Sequence, residues 1–356
     1  MDLSRRATFR FVRLAEYLEH LLVRNADPLD TRGHLRASAA VGGWNKCGME
    51  VRQKNIWGRI GIGVLLSGVS AAFLTLSFPP YSLWPLIWVA FIPMLVAQFR
   101  VLPPRISSLA SAIAIGGWLG TYLTPIFAGS GLTITWLPLL VAVISYLTDH
   151  GVRAFHERTG YCWFVSCGAL NWVGFEMLRG FIPIMGTWGF VANTLYGQPW
   201  LIQPVSIFSI FGLGLLIMSV NFGLALGTLF LFDQRWKLDP GIPPLAGLAV
   251  RNWILGVLVA LLAWTGLSLA LFRAPTTPKI RAAALHYDAG VPWSAVDKFS
   301  DLTRQATRDG ARIIVWPEMA IEGDPQATNA GYFRRLAAAT DAYLVLGYVV
   351  QVTEQV

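Results

Sequence analysis

The sequence has little charge and few cysteines. Asp, Glu, Lys and Arg make up 13% of its 356 residues, about half the share that is usual in soluble globular domains. The three cysteines are Cys47, Cys162 and Cys167, and none of them follows residue 273. The C-terminal part therefore has neither a disulfide framework nor a cysteine metal site, and we predict no metal and no cofactor.

Long apolar runs account for the shortage of charge, since 54% of the residues are hydrophobic. A helix needs about 20 apolar residues to cross a bilayer. Seven runs approach or reach that length, and they predict a polytopic α-helical membrane domain over residues 57–272. The runs are 57–78, 82–99, 106–128, 132–148, 161–178, 205–232 and 253–272.

Basic residues collect on one side of these runs. The segment through Arg59 holds eleven Lys and Arg, whereas the connections on the opposite side before residue 273 hold only Arg179. The positive-inside rule predicts that the basic segment 1–56 is cytoplasmic and that seven crossings place everything after Arg273 outside. The net charge of +8 then reflects membrane topology, and we do not expect nucleic acid as a partner.

Two charged residues close to the end of the fifth run stand out. In NWVGFEMLRG, Glu176 and Arg179 are three residues apart and share a helical face. One interpretation is an ion pair at a helix end that fixes packing. The other is a surface where a lipid headgroup or a polypeptide docks, to which Trp188 in the following Gly-, Pro- and Trp-containing segment would contribute. The sequence leaves both interpretations open.

The pattern changes after a linker at residues 273–279. Strands are predicted at 280–287, 312–317 and 343–350, with helices near 294–310 and 329–340 between them. This alternation is typical of an α/β domain with sequential crossovers, here over residues 280–356. The stretch IIVWPE places Glu318 just past the carboxyl end of the second strand, where such folds usually place their functional sites.

Three stretches together carry a family resemblance: FPPYSLW, the W-x₃-E-x-L-R-G signature followed by Gly186 and Trp188, and the pair AALHYDAGVPW and IIVWPE. In this order they resemble the apolipoprotein N-acyltransferases, which are bacterial inner-membrane enzymes. These enzymes carry a nitrilase-like α-β-β-α sandwich domain on the periplasmic side. The resemblance runs from about residue 57 onward.

The resemblance implies an activity and a site. The enzymes move an acyl chain from a phospholipid to the N-terminal diacylglyceryl-cysteine of an apolipoprotein, through a thioester on a catalytic cysteine. Glu318 matches the glutamate of the Glu–Lys–Cys triad and would be the general base. Trp293 corresponds to a family tryptophan on the substrate side, and Glu176, Arg179 and Trp188 are further substrate-binding candidates. The expected partners are a phospholipid, an apolipoprotein and membrane lipids.

The sequence departs from the family pattern in its C-terminal part. Residues 280–356 cover the first part of a nitrilase-like domain and do not reach the positions of the triad lysine and cysteine. Two interpretations follow: a C-terminally incomplete copy of the acyltransferase, or a non-enzymatic binding or scaffold relative with a degenerate nitrilase-like domain. In either case we expect the 356-residue chain alone to be inactive.

Overall fold

A computed structural model describes residues 44–127, 136–182, 186–235, 245–273, 279–286, 296–318 and 320–350. For 44–55 and 125–127 it describes the backbone only. Most of the predicted segment 1–56, most of the linker 273–279, and Trp293 lie outside the described residues.

The N-terminal two thirds of the described chain are helical. Shorter 3-10 turns at Trp84–Trp88, Pro104–Ile106 and Val191–Leu195 and a π-helical turn at Ala97–Val101 lie between the α-helices. The α-helices are α1 (Trp44–Ser77), α2 (Ile92–Val96), α3 (Leu109–Phe127), α4 (Trp136–Thr148), α5 (Val152–Arg158), α6 (Phe164–Gly180), α7 (Val205–Arg235) and α8 (Gly247–Leu271).

Five helical segments in the described residues are long and apolar enough to cross a membrane. This confirms the prediction of a membrane protein built from α-helices. The other two predicted runs form shorter helices: α4 has 13 residues and α6 has 17. The number of seven crossings therefore stays a prediction. The five segments are Ile56–Ser77, Trp84–Val101, Pro104–Thr124, Val205–Arg235 and Gly247–Leu271.

The segment Trp84–Val101 is a chain of short helical pieces. Prolines near the start of two pieces cannot donate a backbone hydrogen bond, which breaks the ladder. The side chain of Asn221 on α7 satisfies backbone groups at the break: its Oδ1 accepts from the Phe91 N–H at 3.0 Å and its Nδ2 donates to the Ile87 carbonyl at 2.8 Å. Asn221 is fully buried, so this bond pair fixes the broken segment against α7.

Two arginines form hydrogen bonds where the same segment ends, one to a backbone carbonyl and one to a carboxylate. Arg59 Nε donates to the Val101 carbonyl at 2.9 Å. Arg100 donates from Nε and Nη2 to the two carboxylate oxygens of Asp233 at 2.5 and 2.8 Å. This bidentate pair connects the segment to the last turn of α7.

The C-terminal part is an α/β arrangement with its own apolar core. The strands β1, β2 and β4 form a parallel sheet in that order, and β3 pairs in parallel with β5 in a second sheet. The parallel sequential strands are confirmed, whereas the second pair was not predicted. The elements are β1 (Ala282–Ala284), α9 (Val296–Arg308), β2 (Ile313–Val315), β3 (Ile321–Glu322), α10 (Pro325–Thr328), α11 (Ala330–Thr340), β4 (Tyr343–Val345) and β5 (Tyr348–Val349).

Candidate functional site

Glu318 stands in a turn three residues beyond the end of β2. The residue that leads into this turn, Trp316, is buried and is anchored at both ends. Its backbone N–H donates to the Val345 carbonyl at 2.9 Å, and its indole Nε1 donates to Thr303 Oγ1 at 2.9 Å. The chain then leaves the core, so that the Glu318 side chain is exposed. The carboxylate is therefore held on an anchored turn and is accessible to solvent.

A glycine on the neighbouring chain segment supports this turn. A Cβ atom at Gly347, between β4 and β5, would lie 2.8 Å from the Pro317 carbonyl carbon and 2.9 Å from Glu318 Cα. No real side chain tolerates contacts this short with backbone, so only glycine allows the two segments to approach. The position of Glu318 thus depends on a residue that the sequence analysis did not single out.

An exposed carboxylate at a strand end can accept a proton from a nucleophile brought next to it. The described residues after 279 contain no cysteine, and no group of three His, Cys, Asp or Glu suited to a metal ion occurs among the described residues. The role of Glu318 as a general base stays a prediction.

Glu176 is buried in α6 and binds across to the following segment. Its Oε1 accepts hydrogen bonds from Trp172 Nε1 at 3.0 Å and from the Val191 backbone N–H at 2.9 Å. The first bond lies within the helix, and the second fixes the start of the turn Val191–Leu195. The carboxylate thereby holds the irregular segment after α6 against the helix.

Arg179 lies one turn later and packs differently from Glu176. Its guanidinium carbon is 5.0 Å from the centre of the Phe190 ring, a cation–π arrangement. Within the described part of the chain it forms no ion pair with Glu176, although the two charges interact electrostatically. The first of the two interpretations, a helix-end ion pair, is thus not what the described residues form, since the two side chains make separate contacts with Val191 and Phe190.

Trp188 is exposed and immediately precedes Gly189, which lies beside Arg179. The structure therefore places Glu176 and Arg179 one turn apart near the end of α6, and it brings the chain next to Trp188 past Arg179. Their role in substrate binding stays a prediction, as does the role of Trp293.

Asn221 and Gly347 are structurally decisive positions to which the sequence analysis assigned no structural role. An asparagine inside an apolar helix and a glycine between two apolar strands were the available signals. The sequence does not show which residues they contact, because Phe91, the partner of Asn221, and Pro317, the neighbour of Gly347, are distant along the chain.

Residues 70–223 match the family model described as "Apolipoprotein N-acyltransferase N-terminal domain". The matched range includes Glu176, Arg179 and Trp188, and Glu318 lies beyond it. An apolipoprotein N-acyltransferase of Geobacter metallireducens is 27% identical over 278 residues, which are 72% of this chain and 51% of that protein. The chain thus spans about half the length of the curated relative that it matches. These findings confirm the family resemblance.

Proposed function

We propose that this chain, which carries the N-terminal domain of the apolipoprotein N-acyltransferase family, serves lipoprotein acylation. The reaction moves a fatty acyl chain from a membrane phospholipid to the amine of an N-terminal diacylglyceryl-cysteine. The phospholipid is the acyl donor, and the apolipoprotein is the acceptor. Residues 280–356 form part of a nitrilase-like domain in this proposal.

The observation that carries the proposal is the placement of Glu318. It stands at the carboxyl end of a parallel strand, on a turn that Trp316 and Gly347 hold in position, behind a membrane part that matches the family. An accessible carboxylate held in this way suits a general base, which must be positioned before it can act efficiently.

Glu318 takes the proton of the cysteine thiol in the proposed mechanism. The thiolate attacks the ester carbonyl of the phospholipid, the carbon–oxygen bond breaks, and a lysophospholipid leaves as the thioester forms. The lipoprotein amine then attacks the thioester, which yields an amide and returns the thiol. In this proposal the triad lysine and cysteine lie outside residues 1–356, so the 356-residue chain alone should form no thioester.

We place the protein in the bacterial inner membrane with seven crossings and a cytoplasmic N-terminus. The apolar candidate spans support the membrane placement, and the asymmetry of basic residues supports the orientation. Residues after Arg273 are then periplasmic, on the side where lipoproteins are exposed.

A charge-removing substitution tests the role of Glu318. In a protein that includes the triad lysine and cysteine, Glu318→Gln should abolish the acyl-enzyme, because a carboxamide cannot accept the thiol proton. Glu322→Gln, at an exposed carboxylate on β3, is the matched control and should leave the acyl-enzyme unchanged. Intact-mass measurement after incubation with phospholipid reads out the thioester.

The outcomes separate the enzyme from the alternative, a non-enzymatic binding or scaffold relative. Undiminished acylation in Glu318→Gln would reduce Glu318 to an ordinary surface carboxylate. Absence of acylation in the unaltered protein would favour the binding or scaffold function.

A further inference from the structure

Arg179 has donors that the described part of the chain does not satisfy. A guanidinium carries five N–H groups. Arg179 Nε is buried without a hydrogen-bond partner among the described residues, and its charge faces the Phe190 ring rather than a carboxylate. A partly buried cation without a hydrogen-bonded counter-charge is costly, so a ligand that supplies oxygen acceptors would be stabilising.

Glu176 does not provide these acceptors. Its Oε1 takes the hydrogen bonds from Trp172 and the Val191 backbone, and among the described residues no hydrogen bond or ion pair joins either of its carboxylate oxygens to Arg179. It remains near enough to Arg179 to reduce the local positive charge. An external anion must therefore compete with a carboxylate that is close but not bonded, which favours a bidentate ligand over a weakly held ion.

The surroundings place Arg179 where membrane spans end. Phe78 directly follows the span Ile56–Ser77, and its ring centre is 5.2 Å from that of Trp118. A Cβ at Gly189 would lie 3.1 Å from the Trp118 ring and 3.9 Å from Arg179 Nη1. Trp118 thus lies between Phe78, the first residue after the span, and the chain beside Arg179, which places the guanidinium toward this end of the span and near the depth of lipid headgroups.

We propose that Arg179 binds the phosphodiester group of a membrane phospholipid. Two of its N–H groups match two phosphate oxygens in a planar fork, and the Phe190 ring restrains the plane of the guanidinium. Gly189, which has a φ of +70°, brings its chain past Arg179 without a side chain. The exposed side chains of Leu178 and Phe181 on either side of the arginine offer apolar surface to the acyl chains.

This inference deepens the proposed function by naming the group of the acyl donor that α6 holds. It requires a membrane-embedded chain but no acyl transfer. A binding experiment on the 356-residue chain can therefore contradict the role of Arg179 without affecting the role of Glu318. Likewise, an acylation experiment can contradict the role of Glu318 without affecting lipid binding at Arg179.

The experiment compares lipids with and without a phosphodiester headgroup. The purified chain in detergent is titrated with phosphatidylglycerol or with diacylglycerol of the same acyl chains, and bound lipid is counted by native mass spectrometry. Unaltered protein should prefer the phospholipid by about tenfold, as expected for charge-assisted hydrogen bonds. Arg179→Gln should lose the preference, and Arg179→Lys should keep part of it because the charge remains without the fork.

The matched control is Arg158→Gln, at an exposed arginine that ends α5, and it should bind like the unaltered protein. Equal binding of both lipids by the unaltered protein overturns the inference, and so does an unchanged preference in Arg179→Gln. If Arg179→Gln proves unfolded in a parallel thermal melt, Arg179→Lys carries the test, and an unchanged preference there overturns the inference. Displacement of the phospholipid by an equal concentration of inorganic phosphate would assign a free-anion site and overturn the lipid assignment.

Discussion

At the scale of single residues, this protein depends on side chains whose partners are distant in sequence. Glu176 fixes the segment after α6 through the Val191 N–H, and Gly347 permits the turn that carries Glu318. The chemical character of each residue is plain from the sequence. What it contacts depends on how the elements pack.

Gly347→Ala should displace the Glu318 turn. The added Cβ meets backbone atoms of Pro317 and Glu318, which cannot move aside as a flexible side chain could. Overpacking of this kind typically costs about 1–3 kcal/mol. Hydrogen exchange measured peptide by peptide should be faster over 313–322 in the variant.

Gly331→Ala provides the control for this prediction, because the new Cβ at this position in α11 meets only the end of the Arg335 side chain. Alanine also favours a helix over glycine. Unchanged exchange in Gly347→Ala would show that the turn does not need the close approach.

At the scale of elements, the connection between α4 and α6 contains titratable groups whose pKa values are shifted by burial. His156 on α5 is buried among Phe99, Tyr161 and Phe164. Desolvation by burial lowers the pKa of His156 from 6.5 to about 4. On the preceding turn, burial raises the pKa of Asp149, while hydrogen bonds from Ser111 and Gln98 oppose that rise.

The His156 shift predicts a loss of stability in mild acid. Because the folded pKa is below the unfolded pKa, the contribution of the neutral imidazole is complete above about pH 6.5 and is lost as the pH falls toward 4. The thermal unfolding midpoint in detergent should therefore fall over this range, and His156→Phe should flatten the fall. His150→Phe, at an exposed histidine, should leave the profile unchanged, and an identical profile in His156→Phe would contradict the prediction.

At the scale of the whole molecule, the proposed orientation is the statement most open to direct test. A reporter that is active only in the periplasm should be active when fused after Lys279 and inactive when fused after Arg235. In the proposed arrangement seven crossings precede Lys279 and six precede Arg235. Activity measured in intact cells checks this. The reverse pattern would contradict both the proposed orientation and the proposed periplasmic placement of Glu318.

The sequence by itself determined the membrane class, the family resemblance and the parallel α/β pattern. These follow from local properties: apolar runs of bilayer length, the period of the strands, and motifs such as W-x₃-E-x-L-R-G, which are complete within a few residues. The position of Glu318 past β2 belongs here too, because a strand end followed by proline can be located from neighbouring residues alone.

Only the tertiary structure decided how the long segments break and which groups meet. Trp84–Val101 looked like one more continuous span, yet its short pieces persist because Asn221 and Arg59 satisfy freed backbone groups. The spacing of Glu176 and Arg179 suggested an ion pair, but the Val191 N–H takes the carboxylate and the Phe190 ring receives the cation. The physical reason is the same in both cases: a buried polar group takes the partner that packing brings to it, and sequence spacing does not record that partner.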